Sequence, residues 1–190
     1  YYFKVAAKNS VGTGSYSAAS ADATPTMPTL TISYAAGSGS GTAPVSPVSV
    51  LSGSTFTTPT NTYTRTGYTF AGWSDGSATY AAAATYPSSG TVASNVTLTA
   101  QWTANTLTVT YNSQSGSSIT AGSTSTGGSV AVSPGTPTRT GYTFAGWFVA
   151  TSGGSAITFP YAHGQTADFT LYAQWTANTL TVTYNSQSGS

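Results

Sequence analysis

One histidine and seven charged side chains carry whatever acid–base or ionic chemistry this 190-residue chain can do. The charges are Lys4, Lys8, Arg65, Arg139, Asp22, Asp75 and Asp168, with no Glu, no Cys and a formal net charge of +1. His163 stands close enough to Asp168 to suggest the base and orienter of a serine triad. The sequence has no G-x-S-x-G elbow, and Ser is so abundant that its nearness to a histidine carries no information. His163 therefore reads as a solvated loop residue. Glycoside hydrolysis needs two placed carboxyl groups, and Asp75 and Asp168 are far apart in sequence. Three Asp and one His, scattered along the chain, do not make a metal shell. The expectation is no catalytic residue, no cofactor-binding residue, no metal ligand and no cofactor: not an enzyme.

Binding chemistry is more open. A nucleic-acid partner needs clustered Lys and Arg, and there is no cluster. No apolar run approaches the roughly 20 residues of a membrane helix, so no membrane insertion is expected. Arg65 and Arg139 precede two copies of one aromatic block. Each could contact a ligand; the simpler reading is a guanidinium lying over a Tyr or Trp face. Exposed Trp and Tyr stack on sugar rings, which raises a surface glycan or a host protein as partner. Trp102 and Trp175 run in phase with Leu98 and Leu171 and read as core. Trp73 and Trp147 follow glycines, and their exposure is left open. Tyr172 falls out of phase and is expected to be exposed. An intramolecular isopeptide bond needs a lysine, and none follows Lys8. Asn95-Val96-Thr97 is a glycosylation sequon of low weight here.

The elements that carry these residues come in copies. Thr64–Trp73 recurs as Thr138–Trp147, and Ala100–Ser117 recurs letter for letter as Ala173–Ser190. A fixed period of this kind marks an array of one structural unit. The first unit spans 29–103. Leu30, Ile32 and Tyr34 alternate with Thr31 and Ser33 as a half-buried strand. Val45–Leu51 is a weaker strand, and Pro47 assigns it to an edge. Tyr68 and Phe70 share one face of the next strand, and Gly72 predicts a bulge before Trp73. Tyr80–Ala84 has helix propensity but is too short to stand on it; a single turn or a strand–loop are both open. Leu98, Ala100 and Trp102 face one way on the closing strand.

The second unit spans 104–176. Leu107, Val109 and Tyr111 open it, and Val130, Val132 and Pro134 stand for the middle strand. Tyr142, Phe144 and Trp147 follow, and Leu171, Ala173 and Trp175 close it. Thr103-Ala104-Asn105-Thr106 reads as a four-residue joint, and the same letters recur at 176–179. A third copy starts within 177–190. Residues 1–24 show a period-two strand (Tyr1, Phe3, Val5), a turn-rich loop at Asn9–Gly14 and a second strand over Tyr16–Ala23. That segment resembles the closing hairpin of a fibronectin type III domain, with 25–28 as a stiffened linker.

The pattern R-x-G-Y-x-F-x-G-W, then L-x-A-Q-W, after an opening T-V-T-Y-N-S, resembles the Listeria–Bacteroides repeat of internalin B-repeat type. The resemblance implies a small ubiquitin-like β-grasp unit of a Gram-positive-type surface protein. The family's usual D-x-N-G-G is replaced here by Asn112-Ser113-Gln114-Ser115-Gly116, so its charge-dependent contacts do not transfer. The fold class expected is mainly β (α+β possible), as tandem small units in an elongated array. At about 75 residues each, a unit has a core only if nearly every apolar side chain is buried. The composition is neutral and hydroxyl-rich, with 13% aromatic residues. Such a composition is common in secreted bacterial surface proteins; with the repeats and the resemblance it implies a secreted or wall-anchored stalk segment, extracellular, whose first partners are neighbouring repeats. The competing readings are a glycan- or host-protein-binding module and an accessory region of a large secreted hydrolase.

Overall fold

The computed structural model describes residues 3–19, 26–45, 47–185 and 187. Every regular element among them is a strand. The chain begins with a small hairpin, β1 (Lys8–Asn9) against β2 (Gly12–Thr13). Asn9 Oδ1 caps its turn by accepting the N–H groups of Val11 and Gly12. The ladder therefore lies where the sequence suggested a loop. The reason is local: an Asx turn at Asn9 closes the tip, and the flanks are held by only a few bonds, such as Ser17 N–H to Val5 O. Of the two expected strands, Tyr1 and 20–23 fall outside the described residues.

The first repeat is a five-stranded sheet in the order β4-β3-β9-β6-β7. β3 (Thr29–Ala35) pairs antiparallel with the edge strand β4 (Val48–Leu51) and parallel with the closing strand β9 (Val96–Ala104). β9 in turn pairs antiparallel with β6 (Tyr68–Ser74), which carries β7 (Thr79–Tyr80) at the far edge. A small second ladder, β5 (Phe56–Thr57) with β8 (Thr85–Tyr86), closes over the sheet. The Ala-rich stretch after Tyr80 is a turn between two strands, with Ala83 left-handed at φ 60°.

The second repeat copies this plan. Its sheet runs β11-β10-β15-β13. β10 (Thr106–Asn112) pairs antiparallel with β11 (Gly122–Ser125) and parallel with β15 (Phe169–Ala177), which pairs antiparallel with β13 (Tyr142–Phe148). β12 (Ser129–Val130) with β14 (Tyr161–Ala162) forms the covering ladder. The middle strand is thus Gly-Ser-Thr-Ser, not the run at Val130 and Val132. Val130 belongs to the covering ladder, and Val132 is exposed. An edge strand held by backbone bonds to a single neighbour needs no apolar face, so hydrophobic alternation misses it.

Each core is built on an indole. Both Gly72 and Gly146 sit at a register shift, with φ of +144° and +136°. The extra residue turns the following Trp onto the same face as the preceding Phe. Trp73 is 0% exposed and Trp147 2%. Phe70, Tyr34 and Tyr63 meet Trp73 edge-on, the nearest centroid at 5.1 Å. Phe144 and Tyr111 meet Trp147 likewise. Trp102 and Trp175, expected as the core indoles, are half-buried at the rim, packed on Phe70 and Phe144. Each rim Nε1–H donates to a loop carbonyl at 2.9 Å, Ala36 O and Ser113 O respectively.

Trp73→Ala or Trp147→Ala should cost roughly 3–5 kcal/mol and unfold its own repeat. Trp102→Ala and Trp175→Ala should cost clearly less, because their rings keep a wet edge. Urea titrations followed by near-UV circular dichroism separate the two pairs; equal losses at all four positions would contradict the placement.

Candidate functional site

The residues with catalytic potential are not assembled. Asp168 Oδ1 accepts the Thr108 N–H at 2.7 Å and closes the parallel pair of the second sheet. Asn95 Oδ1 does the same for Thr31 N–H at 2.8 Å in the first. The sequon asparagine and the lone aspartate are one structural position, written with an amide in one copy and a carboxylate in the other. Asp75 Oδ1 accepts the N–H groups of Ser77 and Ala78, and Oδ2 the phenols of Tyr80 and Tyr86. The backbone bonds, Ala78 first, hold its carboxyl below the usual range. Among the described residues no group of three or more His, Cys, Asp or Glu is placed to hold a metal ion. Among them, too, no helix is long and apolar enough to cross a membrane.

His163 is not solvated: it is 6% exposed, with its ring 4.7 Å from that of Phe169. The Gln165 N–H donates to Nδ1 at 3.3 Å. Nε2 faces Thr124 Oγ1 at 3.1 Å, and that hydroxyl donates onward to Ser129 O. The network thus assigns a neutral ring protonated at Nε2. Burial pushes its pKa below the ordinary value. The sequence offered no sign of this, because the partners are a distant threonine hydroxyl and a backbone N–H.

Arg65 and Arg139 lie over tyrosines, with Cζ 3.5 Å from the Tyr68 centroid and 3.9 Å from that of Tyr142. Arg139 also reaches Gln114 O at 3.3 Å and comes within 6.0 Å of the Trp175 ring centre. The Arg65 stack adjoins the most distinctive site in the molecule, the junction of the two repeats, and the Arg139 stack lies beside the equivalent glycine, Gly141.

β9 ends at Ala104 and β10 begins at Thr106, so the four-residue joint is in fact the single residue Asn105. Both sheets run into it because the closing and opening strands continue their ladders to the last residue. Asn105 N–H donates to Gly67 O at 2.9 Å, and the Thr69 hydroxyl donates to Asn105 Oδ1 at 2.7 Å. From the second repeat, Thr126 N–H donates to Asn105 O at 2.9 Å. Thr126 Oγ1 donates to Gly67 O at 2.6 Å. Gly67 is left-handed at φ +78°, and a Cβ there would fall 2.7 Å from Thr126 Cγ2 and 2.9 Å from Thr166 Cβ. Glycine is required both for the backbone and for the close approach. The His163 segment braces the hairpin that makes this contact: Gly127 N–H donates to Gln165 O and His163 N–H to Gly128 O.

These features define a chain of small all-β repeats bonded end to end. The Listeria-Bacteroides repeat domain family matches it twice, over residues 31–101 and 108–174, and the chain belongs to that family. It is also similar to Internalin H of Listeria monocytogenes, 36% identical over 115 residues. That alignment covers 60% of this chain and 20% of the relative, so the chain spans a small part of the curated protein it matches.

Two outcomes follow. Thr126→Val keeps the shape but removes the hydroxyl, and should cost about 1 kcal/mol at the junction. Amide exchange at Asn105 and Thr126 should quicken while Val109 in the core stays protected. For His163, the neutral ring is the folded form. Above about pH 6.5 it is neutral in both states and costs nothing. As pH falls through that value the unfolded chain takes the proton first, so stability drops with acid. A urea midpoint of the second repeat that falls between pH 7.5 and 5, and a flatter profile in His163→Phe, would show this.

Proposed function

We propose that this chain is a non-catalytic spacer segment of a bacterial cell-surface protein, holding another domain away from the wall. The observation that carries it is the junction: consecutive repeats are separated by one residue, and Thr126 donates hydrogen bonds to both Gly67 O and Asn105 O. Such a link limits relative swing and makes length additive in copy number. The strand order, a central parallel pair flanked by two antiparallel hairpins, supports a β-grasp reading in which covering loops and a short ladder stand where that fold keeps its helix. Repeat boundaries at 29–103 and 104–176, a third repeat from 177, and a fibronectin-type hairpin before residue 25 belong to the same proposal. So does an extracellular, cell-surface or wall location.

The glycan- or host-protein-binding reading is the weaker one. The two indoles that would decide for an open platform, Trp73 and Trp147, are the most deeply buried rings in the molecule. Small-angle scattering decides the spacer reading. A maximum dimension well beyond that of a 190-residue globule is expected, and a compact particle would overturn it.

A further inference from the structure

The far end of the second repeat repeats half of the junction without its other half. Asn178 N–H donates to Gly141 O at 2.9 Å, and the Thr143 hydroxyl donates to Asn178 Oδ1 at 2.7 Å. These are the bonds that Asn105 makes with Gly67 and Thr69. Gly141 has the same φ, +78°, as Gly67, yet a Cβ there would meet nothing within 4 Å. Gly67 O takes two donors; among the described residues Gly141 O takes only the Asn178 N–H. Tyr68 is half-buried beside the junction, while its counterpart Tyr142 is 38% exposed. Beyond Asn178 the apolar alternation Leu180, Val182, Tyr184 matches Leu107, Val109, Tyr111. The latter three are buried; Leu180 is 86% and Tyr184 91% exposed.

The near end of the first repeat is different. Ser52 N–H donates to Pro28 O at 2.8 Å, and Gly53 N–H to Val92 O, as Thr126 and Gly127 do with Asn105 and Gln165. Pro28 therefore stands where the junction has Asn105. A proline has no N–H to give a preceding glycine carbonyl and no side-chain amide oxygen to take a threonine hydroxyl. The first repeat can follow another segment, but not through this junction.

We propose that the Gly141–Tyr142–Asn178 face is an acceptor for one further copy of this repeat, so that the array has a polarity: capped at the first repeat, extended from the second. The copy supplies a Thr-Gly hairpin. Its hydroxyl donates to Gly141 O, its methyl covers the Gly141 Cα, and its closing strand buries Leu180, Val182 and Tyr184. This deepens the spacer reading and rests on it.

The test is a chain extended after Ser190 by a copy of residues 118–177, which completes a third repeat, compared with the original. Residual dipolar couplings are measured for each repeat. All three repeats should share one alignment frame. Gly141→Ala carries the same backbone strain in both chains, since φ is positive in each. In the original chain it should leave the frame shared by repeats one and two intact. In the extended chain it should detach the third repeat from that frame, because the new Cβ meets the incoming threonine. Replacing the Thr126 counterpart of the added copy by Val should loosen the third repeat without unfolding it. A folded third repeat that keeps the shared frame despite Gly141→Ala would overturn the proposal. So would one that tumbles independently in the unvaried extended chain while repeats one and two stay coupled. Loss of a common frame between repeats one and two would instead overturn the spacer reading itself.

Discussion

The carbonyl of Gly67 is the point through which one repeat holds the next. It takes a backbone donor from the joint residue and a hydroxyl donor from the neighbouring repeat. A carbonyl has two lone-pair directions, and using both from different repeats fixes their mutual orientation as well as their distance. The geometry demands a left-handed residue with no side chain, which only glycine meets at low cost. The cation–π stack of Arg65 on Tyr68 lies directly beside it and holds the turn that presents the carbonyl. The contact between the two repeats is thus carried by a few short-range bonds at the junction.

The same economy explains how a chain with so few charges stays folded. Burial of an indole and its ring neighbours supplies the apolar gain, and hydroxyls and amides satisfy what the strands leave open. Thr58 is buried with its Oγ1 donating to Ala81 O and accepting from Ala84 N–H. Thr126 and His163, the other buried polar side chains, are fully committed as well. Among the described residues no buried side-chain nitrogen or oxygen lacks a partner. Neutral hydrogen bonds of this kind do not weaken with ionic strength, whereas exposed ion pairs do. The buried side-chain bonds of this fold are of that neutral kind.

The repeat plan, the strand faces and the glycine bulge were legible in the sequence because copying and period-two alternation act on neighbours along the chain. What escaped was set by contacts across it. Alternation counted straight through Gly72 leaves Trp73 undecided; the bulge adds one residue and swings it into the core. Gly122–Ser125 forms a strand through its ladder with β10 and has no apolar side chain, so no apolar signal marked it. The strands run further into the joint than turn chemistry suggested, because Asn105 bonds on both sides keep the ladders in register. His163 looked solvated because its partners, Thr124 and the Gln165 amide, carry no charge to advertise a site.

Comparison of the two copies separates what the array needs from what it tolerates. The loop after the Gly-Trp block is stabilised in the first repeat by Asp75, which gathers two amides and two phenols. In the second, Gln174 Nε2 donates to Ala150 O and Gly153 O, and Gln114 Nε2 to Thr151 O. The corresponding Gln101 makes only a long bond to its own strand, 3.4 Å to Thr99 O. One loop is thus ordered from within by an anion and the other from the sheet by amides. Neither arrangement touches Gly67, Asn105 or Thr126, nor their counterparts Gly141 and Asn178. Loop chemistry can therefore diverge from copy to copy without altering the angle at which copies join. That separation keeps the geometry of the junction independent of what the loops present.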